Sequence, residues 1–204
     1  MNNLKTILGL IAAIISIFCY LPYIVTTIQG KTKPNIATWL TWTILSIVVT
    51  ATMFAERSFN TLWVPLIGAF GQGIIALLAL KQGKGNWSNF DLICLFFVGL
   101  GLAFWWHYDE PMIALTMALT VDLVGVLPTF KKSYEEPESE NMLTWVLYLI
   151  SSIFLIFSVK TWNANDSLFF VSNEGLFSMY LFSVNFIIVA LLIRGKAIAR
   201  TLKT

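Results

Sequence analysis

Six polar side chains stand near the centres of otherwise apolar stretches: Ser16, Ser46, Gln72, Asp122, Ser152 and Asn185. Taking an unpaired polar group out of water costs free energy, and an ionisable group costs more, so such residues need a purpose. Asp122 has the chemistry to bind a ligand or to carry a coupling proton. Gln72 and Asn185 each offer an amide donor and acceptor to a small polar molecule, and the serines add hydroxyls. A purely structural use is also open. Serines in apolar helices bond back to their own backbone or help helices pack, and Gln72 lies among Gly68, Gly71 and Gly73, where close packing and an interhelical hydrogen bond suffice.

Aromatic residues accompany this polar set. Trp39, Trp42, Trp145 and Tyr148 could wall a site, since aromatic faces with a few polar groups suit a flat polar ligand such as a sugar or nucleoside. Trp39 and Trp145 also fit the aromatic belt at a membrane interface. His107, beside Tyr108, Asp109 and Glu110, reads as a solvated loop histidine, and Cys19 and Cys94 as small buried apolar residues rather than a disulfide or metal pair.

The elements that must position these residues are duplicated. Leu21-Pro22 ends one apolar run and Leu127-Pro128 another, 106 positions later. Asn35, Thr38, Trp39 and Trp42 follow the first; Asn141, Thr144, Trp145 and Tyr148 follow the second, with the Pro-to-Asn spacing 13 and the Pro-to-Trp spacing 17 in both copies. The same offset relates Ser16 to Asp122 and Ser46 to Ser152, and an offset of 113 relates Gln72 to Asn185. A polar ring at one depth, fed by both copies, is the layout of a central small-molecule site between repeats. The paired prolines read as helix ends before short charged loops.

Composition fixes the solvent. The chain has 204 residues, 57% hydrophobic and only 12% charged, about half the charge of a soluble domain. Its mean hydropathy is +0.77. At about 20 apolar residues per crossing, seven spans are expected, at 6–28, 35–55, 61–80, 90–106, 111–130, 142–160 and 175–193. The first is too long and lacks the small-residue cleavage pattern of a signal peptide. Ten of the 13 Lys and Arg fall in the 1–2, 3–4 and 5–6 loops and the tail, against Lys5, Arg57 and Lys160 on the other side. The excess of positive charge in these segments expects a multi-pass protein of the cell (inner) membrane with its N-terminus outside and its C-terminus cytoplasmic. The net charge of +2 then reports topology, and no basic-aromatic patch points to nucleic acid.

Repeats beginning at spans one and five give a three-plus-one-plus-three plan of parallel repeats, an all-α membrane protein of seven transmembrane helices. The expected units are 1–82, a first triple-helix bundle; 83–110, a linker helix that restores the orientation of the copy; and 111–204, a second bundle with a short tail.

This layout resembles the SWEET, semiSWEET and PQ-loop transporter superfamily, to which the PnuC-type vitamin transporters are similar in plan. Leu21-Pro22 with Lys31-Thr32, and Leu127-Pro128-Thr129-Phe130 with Lys131-Lys132-Ser133, carry the resemblance. It implies that Pro22 and Pro128 are flexing points for alternating access and that Gln72 and Asn185 stand where a paired amide binds substrate. The chain differs in lacking the proline-glutamine dipeptide, since Tyr23 follows Pro22 and Thr129 follows Pro128, and in having no proline within spans two and six. Trp39-Leu40-Thr41-Trp42 is similar to the tryptophan-rich helices of the vitamin transporters.

The expected function is transport of a small polar metabolite, such as a sugar or vitamin precursor, by alternating access around the midplane ring. The carrier is a uniporter or is proton-coupled through Asp122. The substrate-binding set is Gln72, Asn185, Trp42, Tyr148, Asp122, Ser16, Ser46, Ser152, Trp39 and Trp145, with Pro22 and Pro128 as hinges and no cofactor or metal. Expected partners are the bilayer and a small-molecule substrate, with a homo-oligomer allowed. The alternative is a receptor or assembly protein using the same bundle, which short cytoplasmic loops disfavour. No nucleophile-base pair, metal cluster or phosphate loop points to an enzyme, and no lysine in span seven could hold retinal.

Overall fold

The computed structural model describes residues 2–30, 36–82, 111–135, 142–162 and 172–201, residue 137, and scattered helical positions between 89 and 107. The fourth expected span, including Cys94, therefore lies mostly outside the described residues, as do the loop residues Lys31, Asn35 and Asn141. Six helices are complete: α1 (Asn2–Ile28), α2 (Ile36–Ala55), α3 (Trp63–Gln82), α4 (Pro111–Glu135), α5 (Met142–Ser158) and α6 (Asn173–Thr201). Three contain stretches long and apolar enough to cross a membrane, Asn3–Ile28, Trp63–Lys81 and Asn173–Ile198; Trp39–Ala55, Leu115–Leu127 and Met142–Ser158 are shorter apolar helices. At about 1.5 Å per residue the last is about 25 Å long, short of a hydrocarbon core about 30 Å thick. Leu10, Phe18, Phe70, Leu77, Phe157 and Phe186 nevertheless stay exposed. An outer surface of that kind needs an apolar solvent.

The prolines do not end their helices. Pro22 lies inside α1, which runs on to Ile28, and α4 runs on past position 128 to Glu135. A proline removes one N–H bond and crowds the preceding turn, and the apolar residues after it, Tyr23, Ile24, Val25 and Ile28, keep the helix going. The side chain of Pro128 lies outside the described residues. The true stop of α1 is Gly30, in the left-handed region at φ 70°, where a residue without Cβ is at ease. Likewise α6 runs on past Arg194 to Thr201, and Arg194 stacks on the Tyr134 ring, 4.1 Å from its centroid.

Among the described residues, the six helices pack in a closed ring in the order α1, α3, α2, α4, α6, α5 and back to α1. Exchanging α1, α2 and α3 with α4, α5 and α6 maps every neighbour pair of the ring onto another pair. Each three-helix group thus has its third helix between the first and second, and the groups meet through α1 with α5 and through α2 with α4.

The buried cores differ at the two ends. At the end carrying Lys5, one cluster unites both groups, with Leu45, Val49, Met53 and Leu62 packed together with Leu115, Leu119, Leu155 and Phe177. At the end carrying Trp39 the core divides. Tyr20, Trp39, Ile75 and Ala76 form one cluster, which among the described residues touches the second group through Tyr148, while Val126, Val184, Ile188 and Leu192 form another within the second group. Polar bonds add to the joined end. Lys5 Nζ donates to the carbonyls of Val159 (2.8 Å) and Lys160 (3.1 Å), and the Asn173 amide donates to the Glu56 carboxylate.

Candidate functional site

The ring surrounds a cavity of about 610 Å³. Its lining reaches Thr26, two residues from the end of α1, but on α2 it goes no further than Val49, six residues before Ala55. The cavity therefore runs towards the end where the core divides and stops against the joined core. Ser16, Trp39, Trp42, Ser46, Gln72, Asp122, Trp145, Tyr148, Ser152 and Asn185 all line it, and so does Pro22.

The two amides are held alike. The Gln72 amide lies 2.7 Å from Ser46 Oγ and 2.7 Å from the carbonyl oxygen of Trp42, and with the amide turned so that its nitrogen faces these two oxygens it donates to both. Asn185 Nδ2 donates to the carbonyl of Tyr148 at 3.5 Å. Trp42 and Tyr148 are repeat mates, so each third helix ties its amide to the same turn of its own second helix. The Asn185 bond is at the outer limit of a hydrogen bond. Asn185 thus keeps more of its bonding capacity for a ligand than Gln72 does.

Asp122 and Ser16, related in sequence, go separate ways. The Tyr180 hydroxyl donates to the Asp122 carboxylate. Ser16 Oγ instead donates to its own helix at the Ala12 carbonyl (3.0 Å) and meets Ser151 Oγ at 2.9 Å, while Ser151 also reaches the Ala12 carbonyl at 2.9 Å. This buried trio pins α1 to α5. Ser152 bonds within its own helix to the Leu149 carbonyl at 2.8 Å, which satisfies its hydroxyl locally.

Rings make the remaining wall. Trp39 and Trp42 meet edge to face at 5.2 Å, and Trp145 lies 5.9 Å from Tyr148. Trp39 is only 8% exposed, which suits a packed wall and not an interfacial belt. Tyr20 joins the two groups across the cavity, edge to face with Tyr148 at 5.7 Å. Its ring lies flat on Gly71, where an added Cβ would come within 2.5 to 2.8 Å of three ring carbons. Gly71 is therefore small because Tyr20 needs the room.

Tyr20, Ser151 and Tyr180 also line the cavity, although the repeat does not point to them. Their repeat mates are Val126, Leu45 and Ile67, so symmetry gives no sign of them; the available signal is a phenol in the middle of an apolar helix for Tyr20 and Tyr180, and a second serine beside Ser152 for Ser151. No family profile, curated protein or solved structure compared with the chain matches it.

Proposed function

We propose that the chain is a membrane carrier that moves a small polar molecule by rocking its two three-helix groups about the central cavity, in the seven-span, three-plus-one-plus-three layout of the SWEET and PQ-loop transporters. The observation that carries this reading is a cavity of about 610 Å³ whose polar and aromatic lining comes in repeat-related pairs from both groups. That volume lies within the range of about 300–1,000 Å³ usual for small-molecule sites.

The split core gives the motion a direction. The groups are locked together at the Lys5 end and parted at the Trp39 end, so rocking would exchange which end is joined. With the Trp39 end cytoplasmic, as the distribution of Lys and Arg favours, this is the inward-facing form. Pro22, inside α1 beside the cavity, removes one backbone bond where the helix would have to bend.

A thermal-shift screen of the purified protein against sugars, nucleosides, vitamins and amino acids tests the proposal, followed by flux of any hit in proteoliposomes. A hit that is lost in Asn185→Ala and is carried across the bilayer supports it. A hit indifferent to Asn185, Gln72 and Asp122, or bound without any flux, contradicts it.

A further inference from the structure

Resting on the carrier reading, we infer that the cavity is built for a monovalent organic cation with a flat or compact apolar body. Asp122 contributes a carboxylate to the lining, and no Lys, Arg or His is among the described residues that line it. Its contact is the Tyr180 hydroxyl. A carboxylate set in a low-dielectric space with a single phenol beside it is far from compensated. A cationic ligand supplies the missing charge.

The rest of the lining agrees. Tyr20 stands with Trp39, Trp42, Trp145 and Tyr148 around the same space. The negative faces of such rings attract ammonium and other organic cations, most strongly where water is excluded. A neutral polyol would need many free hydrogen-bonding groups, and here they are largely committed. Ser16 and Ser151 bond each other, Ser152 bonds its own helix, and Ser46 is engaged by Gln72. What stays on offer is one negative charge, an amide at Asn185 and aromatic surface.

The test is a set of titrations on the full-length protein in detergent, read by tryptophan fluorescence and calorimetry. The probes are phenyltrimethylammonium, choline, choline's uncharged isostere 3,3-dimethyl-1-butanol, and glucose. The inference expects saturable binding of both cations, at least tenfold tighter for choline than for its isostere, and a loss of tenfold or more in cation affinity in Asp122→Asn. Asp122→Glu, which keeps the charge, should recover part of that loss and shows whether a folded site was retained. Equal binding of choline and its isostere overturns the inference, as does cation affinity unchanged in Asp122→Asn. Glucose binding that depends on Asn185, with no cation bound, overturns it while leaving the carrier reading intact. Absence of saturable binding by every probe also overturns it.

Discussion

Gln72 and Asn185 face the cavity from opposite groups and make the same bond, each donating its amide to a carbonyl of the neighbouring second helix, at Trp42 (2.7 Å) and Tyr148 (3.5 Å). The geometry is repeated but the strength is not. Gln72 has a second short contact at Ser46, whereas Asn185 is barely held. On the carrier proposal, the first amide is structural and the second is left for ligand.

That difference sets a first expectation. Gln72→Ala loses two short bonds and should lower stability by about 1–3 kcal/mol, at roughly 0.5–1.5 kcal/mol for each bond. Asn185→Ala should change stability by less than about 0.5 kcal/mol yet abolish ligand binding. Thermal unfolding and ligand titration of the two variants read both effects. Equal destabilisation by the two would remove the distinction.

The Ser16–Ser151 pair at 2.9 Å, in which one hydroxyl donates to the Ala12 carbonyl and the other can donate to that carbonyl or to its serine partner, should be a measurable tie between the groups. Ser16→Ala and Ser151→Ala should each cost about 1 kcal/mol, and the double variant less than their sum, because each hydroxyl partners the other. A strictly additive double-mutant cycle would count against the tie.

Gly71 is the place to test the seat of Tyr20. A Cβ there would press into the ring at 2.5 Å, so Gly71→Ala should push Tyr20 into the cavity, weaken ligand binding and destabilise by about 1–3 kcal/mol through overpacking. Adding Tyr20→Leu should restore much of the stability. Failure of that second change to help would show that the strain lies elsewhere.

Glu56, just past the end of α2, gives the joined end a pH response. Burial raises its pKa above the ordinary 4.5; the bond from Asn173 opposes the shift and the charge of Glu174 adds to it. The folded protein then holds the proton more tightly than the unfolded chain. This contribution to stability is fully present below pH 4.5 and is lost as pH rises through the folded-state value. Thermal unfolding across that window should show the loss in the parent and not in Glu56→Gln. Parallel profiles would contradict it, and the partial exposure of Glu56 keeps the expected effect modest.

Where the repeat is faithful, the lining of the cavity is legible in the sequence. Ser46 with Ser152, Gln72 with Asn185 and Trp42 with Tyr148 converge on one cavity because equal offsets place side chains at equal depths on equivalent faces. Hydrogen-bond partners were not legible. Asp122 takes Tyr180, and Ser16 takes Ser151, through residues whose mates, Ile67 and Leu45, are apolar. Pro22 was misplaced for a different reason. A proline reads as a helix end in isolation, but an apolar run on its far side gains more by staying helical than the one lost bond costs.

Solvent access to the centre of the cavity tests the rocking account most directly. Ser152 is buried against its own helix at the cavity wall, so Ser152→Cys in a chain carrying Cys19→Ala and Cys94→Ala gives a small reporter. Membrane-impermeant thiol reagents are applied from either side of sealed vesicles of known orientation. The account predicts labelling from both faces, slowed from both by bound ligand. Labelling from one face alone under every condition would contradict it.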